Sequence, residues 1–141
     1  MGESLLHKQY IDIIYTYCLG IIPKNHSRLI LMDGNENLLT KEVPPIIDGF
    51  RPDLYYEFNS LLIIGEAKTK NDYLTKHSLN QYNKYIHYCS RYWGDAFFII
   101  CCPWGCTADM NIIIKKINNK YKNKVNIIIL DEISGEIKCK K

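Results

Sequence analysis

No apolar run in this chain reaches the ~18 residues a membrane-spanning helix needs; the longest, such as Ala96 to Cys102, are of strand length. The N-terminus lacks the basic-then-apolar pattern of a secretory signal. Met-Gly-Glu-Ser-Leu-Leu also lacks the Ser or Thr at the sixth position that myristoylation expects. These absences predict a cytoplasmic protein with no membrane attachment. No internal repeat, linker or composition break divides the chain, so a single domain over residues 1–141 is expected. Strong charge is missing too: a net +3 is too mild to argue for nucleic-acid binding by itself. Zinc-site spacing is absent, since Cys102-Pro-Trp-Gly-Cys106 has neither Cys-x-x-Cys spacing nor a second half. The six cysteines therefore read as reduced, packed thiols, with Cys18 and Cys89 at core-facing helix positions and Cys101-Cys102 closing an apolar strand.

What is present is organised around Arg51-Pro52-Asp53 through Glu66-Ala67-Lys68. Residues 53 to 58 and 61 to 68 are rich in aromatic and β-branched types, and Asn59-Ser60 supply a turn, so the stretch predicts a β-hairpin. A two-residue loop sets Phe58 opposite Leu61, Asp53 opposite Glu66 and Arg51 opposite Lys68. Opposed Cβ atoms lie ~5 Å apart, where like charges are unfavourable unless something offsets them. Alternation gives Leu54, Tyr56, Phe58, Leu61, Ile63, Gly65 and Ala67 to an apolar core face, with Asp53, Glu66 and Lys68 together on the other. Two carboxylates beside an ammonium suit a hard divalent cation. They equally suit a structural salt-bridge cluster of Arg51, Asp53, Glu66 and Lys68. A three-residue loop would shift the register and move Asp53 to the opposite face.

Around the hairpin, residues 3 to 19 read as a helix with Leu6, Tyr10, Ile13/Ile14 and Tyr17 on its apolar stripe and Glu3 and His7 on the flank. Glu3 either points to the hairpin or simply favours the helix N-terminus. A short strand over 28–32 and a turn at Asp33-Gly34-Asn35 follow, then a second strand over 38–43. The loop 44–50 is expected at the mouth of the hairpin site. Residues 69 to 76 read as an exposed, mobile segment, and a long helix then runs to about Trp93. Its stripe is Leu74, Ser78, Tyr82, Tyr85/Ile86, Cys89 and Trp93; His77, Gln81 and Tyr85 form a second line that would face the acidic side. Residues 95–102 are a buried strand, Thr107 caps a further helix, and 125–130 is the last strand, parallel to 95–102 through a right-handed crossover. Lys115, Lys116, Lys120, Lys122 and Lys124 cluster on and after that helix, as a phosphate-binding or a merely solvated face.

Pro52-Asp53 followed by Glu66-Ala67-Lys68 resembles the motif of the PD-(D/E)XK nuclease superfamily. Gln81-Tyr-Asn-Lys-Tyr85 looks like the Gln-x-x-x-Tyr element of its RecB-like members, and Gly2-Glu3 resembles the start of the Holliday-junction-resolvase-like ones. The resemblance implies an α/β, restriction-endonuclease-like core: a central mixed sheet, αβββαβ plus a C-terminal αβ, flanked by helices. It implies Mg²⁺ or Mn²⁺ held by Asp53, Glu66 and the Ala67 backbone carbonyl, with Glu3 as a further ligand for which Asp12 and Glu42 compete. Lys68 would orient the attacking water and Gln81 would hold that water or a phosphate. Tyr85, Arg51, Lys115 and Lys116 would contact substrate. The implied activity is hydrolysis of DNA phosphodiester bonds, RNA being a further substrate class, and the small size of the chain suggests a homodimer or a subunit of a larger system. Some RecB-like members also hold an iron–sulfur cluster on four cysteines. A catalytically silent nucleic-acid-binding or scaffold module is the rival reading.

Overall fold

The two-residue turn at Asn59-Ser60 sets the architecture. Both residues have positive φ, 50° and 64°, the pattern whose twist matches a tight antiparallel hairpin. The computed structural model describes residues 5–34 and 42–133, and the backbone of 139–140. The elements in order are α1 (Leu5–Leu19), a 3-10 helix (Lys24–Leu29), β1 (Leu31–Met32), β2 (Leu54–Phe58), β3 (Leu61–Ala67), α2 (Lys76–Ser90), β4 (Asp95–Cys101), α3 (Thr107–Lys120), β5 (Asn126–Leu130) and β6 (Cys139–Lys140). They build one mixed sheet in the spatial order β1-β2-β3-β4-β5-β6. The β1–β2, β2–β3 and β5–β6 pairs are antiparallel, while β3–β4 and β4–β5 are parallel.

Parallel neighbours require crossovers, and those crossovers cover a sheet face. α2 joins β3 to β4 and α3 joins β4 to β5, and both helices pack on one side. There Tyr82, Tyr85, Ile86, Cys89, Met110 and Ile114 meet Tyr55, Leu62, Ile64, Phe98, Ile100 and Ile129. α1 covers the other side, setting Tyr10, Ile11, Ile14 and Cys18 against Leu54, Tyr56, Ile63, Ile99 and Ile128. The hairpin is therefore buried on both faces, and its acidic face is the floor beneath α2, the side that the line of His77, Gln81 and Tyr85 was expected to meet.

Local departures have local causes. The strand expected over 28–32 shrinks to Leu31–Met32, because Lys24–Leu29 winds as a 3-10 helix that places His26 Nδ1 2.9 Å from the Tyr56 hydroxyl. The strand expected over 38–43 falls largely outside the described residues, and Glu42 and Val43 are not in a strand. Residues 69–76 are anchored: Tyr73 is buried, donates its hydroxyl to Asp109 Oδ2 at 2.9 Å, and accepts the Tyr82 hydroxyl on its carbonyl at 2.8 Å. α2 starts where the Thr75 hydroxyl accepts the Ser78 N–H, and it ends before Trp93, which is 78% exposed. Thr107 does not cap α3 as expected; it is the first helical residue, and its hydroxyl donates to the Trp104 carbonyl.

Cys18, Cys89, Cys101, Cys102 and Cys106 are buried free thiols. Burial pushes Cys18 and Cys102 up to about 12, which leaves them protonated and unreactive near neutral pH. Among the described residues no helix is long and apolar enough to cross a membrane.

The start of β4 presses against the hairpin turn. A Cβ on Gly94 would lie 2.1 Å from the Ser60 carbonyl oxygen, whereas one on Gly105 would meet nothing within 4 Å. Gly94→Ala is expected to cost about 2 kcal/mol or more, and Gly105→Ala to stay within ~0.5 kcal/mol. Urea titrations of the two variants check this, and equal midpoints would contradict the packing.

Candidate functional site

The β2–β3 register pairs Leu54 with Gly65 and Phe58 with Leu61, the two-residue-loop alignment. One step outward Asp53 faces Glu66, and the Asp53 N–H approaches Glu66 Oε1 at 3.4 Å. Asp53 Oδ2 accepts the Ala67 N–H at 2.8 Å. In an antiparallel ladder a residue turns its N–H and C=O toward the same neighbour, so the Ala67 carbonyl also faces the β2 side. Lys68 extends β3 past its last ladder residue, donating its N–H to the Cys101 carbonyl at 3.0 Å. Its ammonium lies 3.5 Å from Glu66 Oε2 and donates to Gln81 Oε1 at 2.5 Å. The fourfold spacing that put Gln81 and Tyr85 on one side of α2 is what brings them over the hairpin. Asp53, Glu66, Lys68 and Gln81 are 6%, 4%, 5% and 7% exposed, so the cluster is shielded from bulk water.

Two further residues join it. His7, on α1, sets Nε2 3.3 Å from Asp53 Oδ2. Asp33, just past β1, donates its N–H to the Asp53 carbonyl at 2.9 Å. His7 stands at the edge of the α1 apolar stripe, a weak signal that periodicity does supply. Asp33 reads as a turn residue, and nothing local in the sequence marks it as a neighbour of Asp53.

Other expected members lie elsewhere. Arg51 does not pair with Asp53 or Glu66; it is exposed and donates Nε to the Pro44 carbonyl at 3.0 Å. The ladder ends at Leu54, and the chain before it turns through the Ile47–Phe50 bridge, which carries Arg51 away. Lys115 and Lys116 are exposed on α3, ~12 Å along that helix from Thr107. Because α3 runs back toward the start of β5, the lysine cluster is carried to the opposite end of the sheet from Glu66. Asp12 and Glu42, the competitors of Glu3, are exposed. Glu3 itself lies outside the described residues.

The electrostatics are those of two like charges in a dry place. Burial holds the Glu66 carboxyl well above the usual range, the Asp53 charge adds to the effect, and Lys68, the Asp53 N–H and His7 oppose it. Tyr85 is fully buried; its hydroxyl lies beside Gln81, and the Glu66 and Asp53 charges both act on it. Two carboxylates supply hard oxygen donors of the kind that suit a hydrated divalent cation. The fit is that of one or two carboxylates plus water, since no three His, Cys, Asp or Glu side chains converge as a ligand set among the described residues. The described cysteines offer no iron–sulfur ligand set for the same reason.

Below 4.5, the ordinary value of a glutamate, both the folded and the unfolded chain hold the Glu66 proton. As pH rises past it the unfolded chain ionises first, so stability falls until the raised folded-state value is passed. Glu66→Gln removes that loss. Its Tm is expected to exceed the wild-type Tm by several degrees at pH 7 and to match it near pH 4. Calorimetry between these limits reads the difference, and parallel curves would mean that Glu66 ionises in the fold without penalty.

Neither a family model, nor a curated protein, nor a solved structure matches this chain.

Proposed function

We propose that this chain is a metal-dependent nuclease that hydrolyses DNA phosphodiester bonds on a restriction-endonuclease-like core of the PD-(D/E)XK kind. The observation that carries this reading is the buried constellation of Asp53, Glu66 and Lys68, tied to Gln81 on the covering helix. The element order, a helix, three strands, a helix and a strand followed by a further helix and strand, supports the core the resemblance implies.

Mg²⁺ or Mn²⁺ would be held by Asp53, Glu66 and the Ala67 carbonyl, and would supply an activated water and offset charge growing on the phosphoryl oxygens. Lys68 places a compact ammonium beside Glu66, where it orients the nucleophile and stabilises developing negative charge. Gln81 holds that ammonium through Oε1, which leaves its amide N–H groups to donate to a phosphate oxygen or water. The buried Tyr85 hydroxyl, beside Gln81, is a further donor. The helices above and below keep bulk water out, which strengthens each of these interactions.

A silent nucleic-acid-binding module is favoured by one observation: Asp53 Oδ2 is already engaged by the Ala67 N–H and by His7. A thermal-shift titration separates the readings. Millimolar Mn²⁺ is expected to raise the Tm of the wild type and not of Glu66→Ala; no shift in either supports the silent module. Linear, nicked, single-stranded and four-way DNA, and RNA, incubated with Mn²⁺ then define the substrate. Lys68→Met, which keeps side-chain volume, is expected to lower cleavage by ~10²-fold or more with its Tm retained. Cleavage by Lys68→Met at the wild-type rate would remove Lys68 from the chemistry. Light scattering on the same preparations reads the expected homodimer.

A further inference from the structure

A second feature stands at the far end of α2 from Gln81. A cavity of about 370 Å³ opens there, lined by Asp48, His87, Tyr88, Arg91, Tyr92 and Trp93. That volume is in the range of small-molecule sites. Its walls are mostly flat rings. Tyr92 and Trp93 lie with centroids 5.7 Å apart, and His87 is backed by Tyr121 in a stack at 4.9 Å and 23°. Trp93 is 78% exposed and Tyr88 40%, so both rings present apolar surface to water. Arg91 is exposed at the same cavity and makes no ion pair among the described residues.

Open ring faces and a free guanidinium in one cavity match a nucleotide, whose base stacks on the rings and whose phosphate takes the guanidinium. Asp48, the carboxylate of the lining, works against a phosphate there, so the rings carry most of the binding. Duplex DNA hides its base faces in its own stack, whereas a single strand presents them. α2 also links the cavity to the acidic cluster. His77, Gln81, Lys84, Tyr88 and Arg91 recur at three- and four-residue spacing and lie along one side of the helix. Arg91 stands ~15 Å along the axis from Gln81. The Ile47–Phe50 turn borders the same side, with the Phe50 ring 5.3 Å from His77 and Asp48 in the cavity wall.

We infer that the cavity at the C-terminal end of α2 is a base-stacking subsite for single-stranded nucleic acid, with Arg91 on the adjoining phosphate and the strand running along α2 toward Lys68. The direction toward Lys68 rests on the proposed nuclease reading; binding at the cavity does not.

The test is anisotropy of a dye-labelled oligothymidylate with the full chain in EDTA, where cleavage plays no part. The wild type is expected to bind it more tightly than a duplex of equal length. Trp93→Ala is expected to weaken binding about tenfold, the loss of one stacked base, with Tm unchanged because Trp93 is exposed. Arg91→Gln is expected to flatten the log Kd against log salt slope by about 0.7. In Trp104→Phe, whose remaining indole is Trp93, saturating oligothymidylate is expected to quench the fluorescence. Absence of single-strand binding by the wild type, or equal binding by Trp93→Ala, would overturn the subsite. Mn²⁺-dependent cleavage of linear duplex is measured separately. Its failure would count against the nuclease reading and leave the EDTA result standing, and its success would not rescue the subsite.

Discussion

Asp53 and Glu66 face one another across adjacent strands, both of them buried, and the Lys68 ammonium is the close fixed cation beside Glu66. Removing carboxylates from water is costly, and one ammonium does not neutralise two of them. The chain meets this cost with directed dipoles as well as charge. The Ala67 N–H binds Asp53, the Asp53 N–H approaches Glu66, and His7 reaches Asp53 from α1. What is left over appears as the reluctance of Glu66 to ionise.

The surrounding fold serves that imbalance. The tight turn at Asn59-Ser60 fixes the register that opposes the two acids, and the close approach of Gly94 to Ser60 locks β4 beside it. The parallel pairing of β3 with β4 forces α2 over the acidic side, which both dries the site and delivers Gln81 and Tyr85. Glu66 and Lys68 thereby stand at the carboxyl end of a parallel strand, where open α/β sheets commonly bind ligands. At the other end of α2 the exposed rings around Trp93 lie outside this dry region, in keeping with a surface that meets a partner in water.

The acidic pair was legible before any folding because it rests on short-range rules: a turn signal, a period of two, and consecutive pairing. Gln81 and Tyr85 were legible as one line of a helix for the same kind of reason. Arg51 was misplaced because its expected partner depended on where a loop carries it, whereas the α3 lysines lie on an exposed face, one of the two readings their spacing allowed. Arg51 leaves the ladder to bind the Pro44 carbonyl, and Lys115 and Lys116 are borne away from Glu66 by the direction of α3. Arg28 and Leu29 read as the start of a strand and wind instead, since a 3-10 helix of six residues has no long periodic signature.

Local sequence therefore determined the hairpin, the candidate acids with their lysine, and most of the order of strands and helices, while the structure chose the two-residue-loop register from the two that the turn left open. Tertiary structure decided that the hairpin is covered on both faces, that His7 and Asp33 close on Asp53, and that a ring-lined cavity opens beside Trp93. The division has one physical cause. Turn type and strand alternation are set by neighbours a few residues apart, whereas burial and convergence depend on which distant elements the crossovers and the α1 docking bring together.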